Sequence, residues 1–322
     1  MTDDREPRAG DPRAISGGSL QEAELQAAPD VWRATAARSE SPFEQGLRRL
    51  RRSTTALIGA AIVALLLVVA LFADVLAPQS PITSDQTHTF ERPSRDYPLG
   101  TDQLGRDMLS RIIHGSRISL AVGVSSVLLA LFVGVPFGMI AGYYGGRVDS
   151  LIMRAMDLIL AFPIYLLAII LMVIFAPTAG LIGTMKVTGA IAIVRIPIYA
   201  RLVRGSVLSI KEKEYIEACR AVGVRDPWIL LRHVLPNCLA PIIVTTTLGI
   251  ATSIIVEATL SFLGLGTQPP TPSWGWDLKA NVSFIQSNPW ISLFPGIAIF
   301  VTVLGFNLFG DGLRDALDPR LK

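Results

Sequence analysis

The sequence predicts an all-α membrane protein with six transmembrane helices, and three observations carry that prediction. Of its 322 residues 51% are hydrophobic, and the mean hydropathy is +0.48, too apolar for a soluble chain of this length. Five intervals are free of charge over lengths that cross about 20 residues of hydrocarbon. They are Ser53 to Ala73, Ile118 to Gly146, Leu158 to Met185, Cys238 to Val256 and Val282 to Gly310, and a sixth, Val187 to Val203, is interrupted by Arg195 and Arg201. Finally, most of the 29 Lys and Arg residues fall on one side of an alternating topology, the side that stays in the cytoplasm.

The elements follow in chain order. Residues 1–47 mix Asp, Glu, Arg, Ala, Gly and Pro without a sustained apolar face, and Gln21 to Ala37 offers at best a weak helix. This segment reads as a mostly disordered cytoplasmic tail. Residues 48–76 form the first span, entered through Arg48, Arg49, Arg51 and Arg52. It lies too late and runs too long for a cleaved signal peptide, so it is expected to stay as an anchor. Residues 77–117 then make a charge-balanced extracytoplasmic loop, with Arg92, Arg95, Arg106, Arg111 and Arg117 beside Asp85, Glu91, Asp96, Asp102 and Asp107. Residues 118–312 hold five further spans and a basic cytoplasmic loop at 205–237, and 313–322 form a cytoplasmic C-terminal tail. Pro136, Pro163, Pro177 and Pro295 lie within the apolar runs, where neighbouring helices re-satisfy the freed carbonyls. The net charge of +3 reports this topology and anionic lipid headgroups, and no nucleic-acid recognition motif is present.

The 205–237 loop has its own pattern. Ile210 to Val222 is helix-forming, with Ile210, Tyr215, Ala218 and Val222 along one face, and Gly223 is placed to end it. Asp226-Pro227 supplies an N-cap and a first helical residue, so a second short helix is expected from Trp228 to Val234, stopping before Pro236. Glu214, Glu217, Arg220, Arg225 and Arg232 lie on the outer surface. From charge alone this element is either a solvated hairpin or a surface held by another protein.

The run Glu217-Ala218-Cys219, Gly223 and His233-Val234-Leu235-Pro236 resembles the EAA coupling motif of ABC-importer permeases. The likeness extends over residues 48–322. Pro98-Leu99-Gly100-Thr101-Asp102, Gly105-Arg106-Asp107, Leu109-Ser110-Arg111 and Gly115 to Leu120 resemble the opening signature of the dipeptide and oligopeptide permease family. Tyr199 to Gly205, Glu257, Leu260 to Gly266, Pro270, Ser273-Trp274-Gly275 and Asn307 to Asp315 resemble its later signatures, and the DppC/OppC-type subunit is most similar. Two positions depart from the pattern. Ile196 stands where an aromatic residue is expected before Tyr199, and His233 stands where the wider pattern has Ile, although His suits the peptide branch.

This resemblance implies a type I ABC-importer permease fold with cytoplasmic EAA coupling helices, multi-pass in the inner, or cytoplasmic, membrane. It implies assembly with a homologous DppB/OppB-like permease, two cytoplasmic ATPases and an extracytoplasmic binding protein, in contact with membrane lipid and not nucleic acid. Glu217, Ala218, Cys219, Gly223, Leu235 and Pro236 would be the ATPase-coupling residues. Dipeptide or oligopeptide is the implied cargo, with nickel, glutathione or sugar as alternatives. No cofactor is expected on this chain: it has no G-x-x-x-x-G-K-[ST] loop, so ATP and Mg belong to the partner ATPases. His88, His114 and His233 are scattered, so no catalytic or metal residue is assigned, and Cys219 and Cys238 read as packing residues.

Two charged residues in the spans are candidate path or structural groups. Arg195 is either a guanidinium for a peptide carboxylate, a structural partner of Glu257, Asp157 or another subunit, or a snorkelling side chain. Glu257 either binds backbone amides of a bent loop or lines an outer gate. Trp274 and Trp276 are expected at the membrane interface, and Gly264, Gly266 and Pro269-Pro270 mark an irregular outer segment. Arg106 and Asp107 form a candidate pair on the opposing surface. An intramembrane hydrolase lacks a base near Ser125 and Ser126, and an ATPase-independent channel or secondary transporter would call for repeats or several buried charges.

Overall fold

A computed structural model describes residues 48–317 except 49 and 52, so the 1–47 tail and residues 318–322 lie outside it. Among the described residues all regular structure is helical, apart from two isolated β-bridges. Helix α1 is Thr54–Leu71, capped by the Ser53 hydroxyl, which accepts from the Ala56 amide at 3.3 Å, and α2 is the single turn Ala73–Leu76. Then come α3 (Met108–Tyr144), α4 (Gly146–Leu160), α5 (Ile164–Phe175) and α6 (Gly180–Ile210). Short helices α7 (Glu214–Ala221) and α8 (Asp226–Ile229) precede α9 (Leu235–Phe262), and α10 (Trp274–Asn281) and α11 (Trp290–Leu317) complete the chain.

Among the described residues five helices are long and apolar enough to cross a membrane, and α4 with α5 makes a sixth crossing only as a pair bent by 87°. The charge-free run Leu158 to Met185 is therefore not one helix. Pro163 has no amide to donate and disfavours helix at the preceding residue, and Ala176 adopts φ +57° immediately before Pro177. Absence of charge does not reveal such breaks. Helix α6 starts at Gly180, so Lys186 lies inside it and donates to the Ala176 carbonyl at 2.9 Å. Likewise α3 starts at Met108 instead of Ile118, because Arg111 and Arg117 are paired and need not sit in a loop. Arg117 donates to the Ala70 carbonyl at 2.6 Å and to Asp74 at 3.0 Å.

The long helices meet through small residues. In α3, Gly134, Gly138 and Gly142 recur every four residues and face Ile196 to Val207 of α6. A Cβ at Gly138 would lie 2.5 Å from the Ala200 carbonyl, so the backbones approach as only glycine permits. Without a hydrophobic driving force inside lipid, such close packing is what associates helices. Helix α1 lies against α11 in the same way, where a Cβ at Gly59 would meet the Phe309 amide at 2.3 Å.

Candidate coupling element and membrane groove

At one end of the bundle α6 stops at Ile210, and Lys211 donates from Nζ to the Gly142 carbonyl at 3.0 Å, tying the turn to α3. Glu214 and Glu217 occupy the first turn of α7 and Arg220 the last, which complements the helix dipole. The buried face differs from the expected one. Ile216 is fully buried and Cys219 partly so, whereas Tyr215, Ala218 and Val222 are exposed. The register changed because Ile210 belongs to α6 and α7 starts afresh at Glu214.

Gly223 ends α7 at φ +78°. Its amide donates to the Arg220 carbonyl and the Val224 amide to the Cys219 carbonyl, both at 3.0 Å. This is a Schellman arrangement, with Val224 and Cys219 packed in one apolar cluster. Arg225, not Asp226, is the N-cap of α8, and Asp226 begins the helix. Nor does the second helix stop before Pro236. A π-turn at Leu230–Val234 carries it into α9, and the wider turn accommodates a proline that lacks an amide and would crowd the carbonyl four residues back.

The sequence-predicted coupling residues divide between two surfaces. Glu217, Ala218, Gly223 and Pro236 are exposed, while Cys219 and Leu235 pack against the cluster beneath. That cluster joins Met139 and Tyr143 of α3, Val203 and Val207 of α6, Ile216, Ile229, Leu230 and Val234 of the coupling segment, and Cys238 and Ile242 of α9. Over it lie exposed Val222, Trp228 and Leu231, with Arg232 stacked on the Trp228 ring at 5.4 Å.

Sequence reading missed Tyr143. Its hydroxyl donates to Asp226 at 2.7 Å, accepts from Arg220 Nε at 3.3 Å, and its ring lies 4.8 Å under the Arg220 guanidinium. No local pattern links residues separated by 83 positions. Nearby, Arg204 holds Asp149 through two bonds of 2.5 and 2.6 Å.

Deeper in the bundle, Arg195 sits on α6 and is half-buried. It pairs with neither expected carboxylate: Asp157 is taken by Arg201 at 2.6 Å, and Glu257 is fully buried, accepting from Ser119 at 3.0 Å and Ser261 at 2.8 Å. The donors to Glu257 are these two hydroxyls and not the backbone amides of a bent loop. The Arg195 Nη2 instead donates to the Thr252 hydroxyl of α9. Toward the coupling end lies a cavity of about 460 Å³ lined by Leu202, Pro241, Val244, Thr245, Leu248 and Arg314.

At the opposite end the loop before α3 is locked by buried charge. Asp102 accepts from the Leu104 and Arg106 amides and pairs with the Arg106 guanidinium at 2.6 Å, while Arg111 pairs with Asp277 and donates to the Pro81 carbonyl at 2.9 Å. Full burial pushes the Asp277 carboxyl up from its ordinary value, and the Arg111 charge opposes that shift. Arg106 and Asp107 do not pair with each other; Asp107 caps α3 by accepting from the Ser110 amide at 2.8 Å. Trp274 is not an interfacial anchor but fully buried, donating to the Ile112 carbonyl at 2.9 Å. Outside this lock, His88 is raised from its ordinary pKa by its 2.6 Å hydrogen bond to Glu91.

Residues 41–93 match the N-terminal transmembrane domain of oligopeptide transport permease C. The dipeptide transport system permease protein DppC of Alkalihalophilus pseudofirmus is 45% identical over 282 residues, covering 88% of this chain and 91% of that protein. The glutathione transport system permease protein GsiD of Pectobacterium atrosepticum is 46% identical over 283 residues, covering 88% and 92%. Among solved structures, an inward-facing conformation of the MetNI methionine ABC transporter superposes with a TM-score of 0.53 at 17% identity, over 66% of this chain and 98% of that one, a likeness of fold. Residues 134–322 match the binding-protein-dependent transport system inner membrane component, and the chain belongs to that family: it is a non-catalytic, multi-pass permease subunit of an ABC importer, without a cofactor of its own.

Proposed function

We propose that this permease carries short peptides with a free carboxylate inward, forming the path with a homologous permease while two cytoplasmic ATPases supply the energy and an extracytoplasmic binding protein delivers cargo. Both termini lie in the cytoplasm in this reading, which the excess of Lys and Arg in 205–237 supports. Lipid surrounds the assembly, and nucleic acid has no part in it. The peptide cargo is supported by similar identity to a dipeptide and a glutathione permease.

One observation carries the coupling mechanism: α7 and α8 bear an exposed surface, and their underside shares one apolar cluster with α3, α6 and α9. Glu217, Ala218 and Gly223 with the Val222, Trp228 and Leu231 patch dock on an ATPase in this reading. Cys219 and Leu235 set the geometry of that surface from beneath, and Pro236 is exposed with the docking residues. Closure of the ATPases then moves the membrane helices as a body, because packed interiors transmit displacement and do not absorb it. Tyr143 makes the polar connection between α3 and the coupling segment. Glu257 holds α3 to α9 through Ser119.

The test is reconstitution of the chain with its partners in liposomes. ATP-dependent peptide uptake that requires the binding protein is expected. Tyr143→Phe should retain ATP hydrolysis and lower the peptide carried per ATP. Uptake without any ATPase would overturn the importer mechanism, and transport of nickel or sugar alone would overturn the cargo.

A further inference from the structure

We infer that Arg195, with the Tyr199 and Thr252 hydroxyls, forms a mid-membrane binding site for the carboxylate of the cargo, an inference that rests on the peptide-import reading above. Arg195 is the sixteenth of the 31 residues of α6, the midpoint of a helix about 46 Å long at 1.5 Å per residue. A guanidinium at that depth is costly to insert into lipid, so it faces the bundle interior or water and takes a partner. Among the described residues that partner is only the Thr252 hydroxyl. The Nε is buried without a hydrogen bond. The Tyr199 hydroxyl is also buried, and its one polar neighbour besides Arg195 is the Thr246 hydroxyl, at no well-formed hydrogen-bond geometry.

The two donors meet over one glycine. A Cβ at Gly249 of α9 would lie 2.6 Å from the Tyr199 hydroxyl and 3.6 Å from Arg195 Nη1, so this gap in α9 is where both head groups converge. Thr252 is itself committed as a donor to the Leu248 and Gly249 carbonyls, so it presents its oxygen to Arg195 and leaves the other guanidinium N–H groups available. A planar fork of donors with no acceptor of matching charge suits an anion with two coplanar oxygens. The dipeptide and glutathione named for the two relatives share that group.

The cavity lies further along the same two helices. Leu202 follows Arg195 by seven residues on α6, and Thr245 and Leu248 precede Thr252 by seven and four on α9, spacings that keep each set on one helix face. The cavity of about 460 Å³ therefore lies on the same helix faces one to two turns toward the coupling end, with Arg314 on its lining and none of Arg195, Tyr199 or Thr252. A carboxylate from an adjoining permease is the other source of the same chemistry, and it would be fixed, independent of cargo.

The experiment uses the complete transporter in liposomes with saturating binding protein and a matched pair of probes, a dipeptide and its C-terminal amide, each rate normalised to that probe's measured affinity for the binding protein. Wild type is expected to carry the free acid faster. Arg195→Gln should lower free-acid transport about ten- to a hundredfold, as loss of a charge-assisted bond predicts, and leave the amide within about twofold. Arg195→Lys should recover part of the preference, and Tyr199→Phe should reduce it. Equal loss for both probes, no loss for either, or failure of both Arg195 variants to assemble would overturn the site; the last identifies a fixed pair with the neighbouring subunit. If only the Gln variant fails to assemble, the preference is read on Arg195→Lys and Tyr199→Phe, and an unchanged preference in both overturns the site. Wild-type liposomes that transport neither probe would instead refute the peptide-import reading itself.

Discussion

At the end of the bundle that carries the loop before α3, Asp102, Arg106, Arg111 and Asp277 are all nearly inaccessible and paired with one another. At the coupling end, Glu214, Glu217, Arg225 and Arg232 face outward, and the inward face is Ile216, Ile229, Leu230 and Val234. The first region joins its elements by charge, the second by apolar packing. A buried charge is tolerated only when paired, so the first arrangement is intolerant of change at any one member. The second leaves its charges and a Trp228 patch accessible to a partner while its stability rests on residues underneath. The contrast teaches where mutations should separate stability from assembly.

The largest effect is expected from Arg111→Ala, which strands the fully buried Asp277 carboxylate and should destabilise the chain by about 3 to 5 kcal/mol. Thermal unfolding in detergent measures it, and the apolar double substitution Arg111→Met with Asp277→Leu should recover most of the loss. An unchanged melting temperature in the single variant would break the comparison. Next is Trp228→Ala at the coupling end, where the side chain is 55% exposed. Folding stability should stay within about 0.5 kcal/mol, while affinity for the ATPase subunit falls by about 2 kcal/mol, roughly thirtyfold. Titration of the purified ATPase against the variant decides this.

Gly223→Val should cost about 1 to 2 kcal/mol locally, from placing a branched residue at φ +78°. Nothing lies within 4 Å of its Cβ position, so strain and not collision is the cause. Membrane insertion should persist, ATPase docking should weaken, and Gly223→Asn should be milder; hydrogen exchange across 214–234 reports the difference. The smallest effect belongs to His88. Its raised pKa means that the Glu91 contact stabilises the folded chain fully below about pH 6.5, and that this contribution is lost as pH rises through the folded-state value. Comparing melting temperatures of wild type and His88→Gln across pH 5 to 9 should show convergence at the alkaline end. A gap that grows with pH would contradict the assignment.

Much of the coupling segment was legible because its signals are local. Gly223 stands where α7 ends, Pro227 at the start of α8, and both act through their own backbone dihedrals. The spans were legible for a similar reason, since lipid demands long apolar helices whatever packs beside them. What failed depended on a partner. Arg111 and Arg117 seemed to mark a loop, yet Asp277 and Asp74 let them enter α3; Trp274 seemed amphipathic, yet the Ile112 carbonyl satisfies its indole inside the core.

By itself the sequence determined the membrane class, the number of apolar runs, the short glycine-ended helix of the 205–237 loop and the resemblance that names the family. Those features follow from composition, period and residue chemistry within a few turns of chain. Only the tertiary structure decided that Asp226 bonds Tyr143, that Glu257 is sealed between two serines, and that Arg195 meets a hydroxyl where a carboxylate was expected. Apart from Ser261, one helical turn from Glu257, these partners lie 57 to 138 residues away, and no local pattern encodes a contact at that separation.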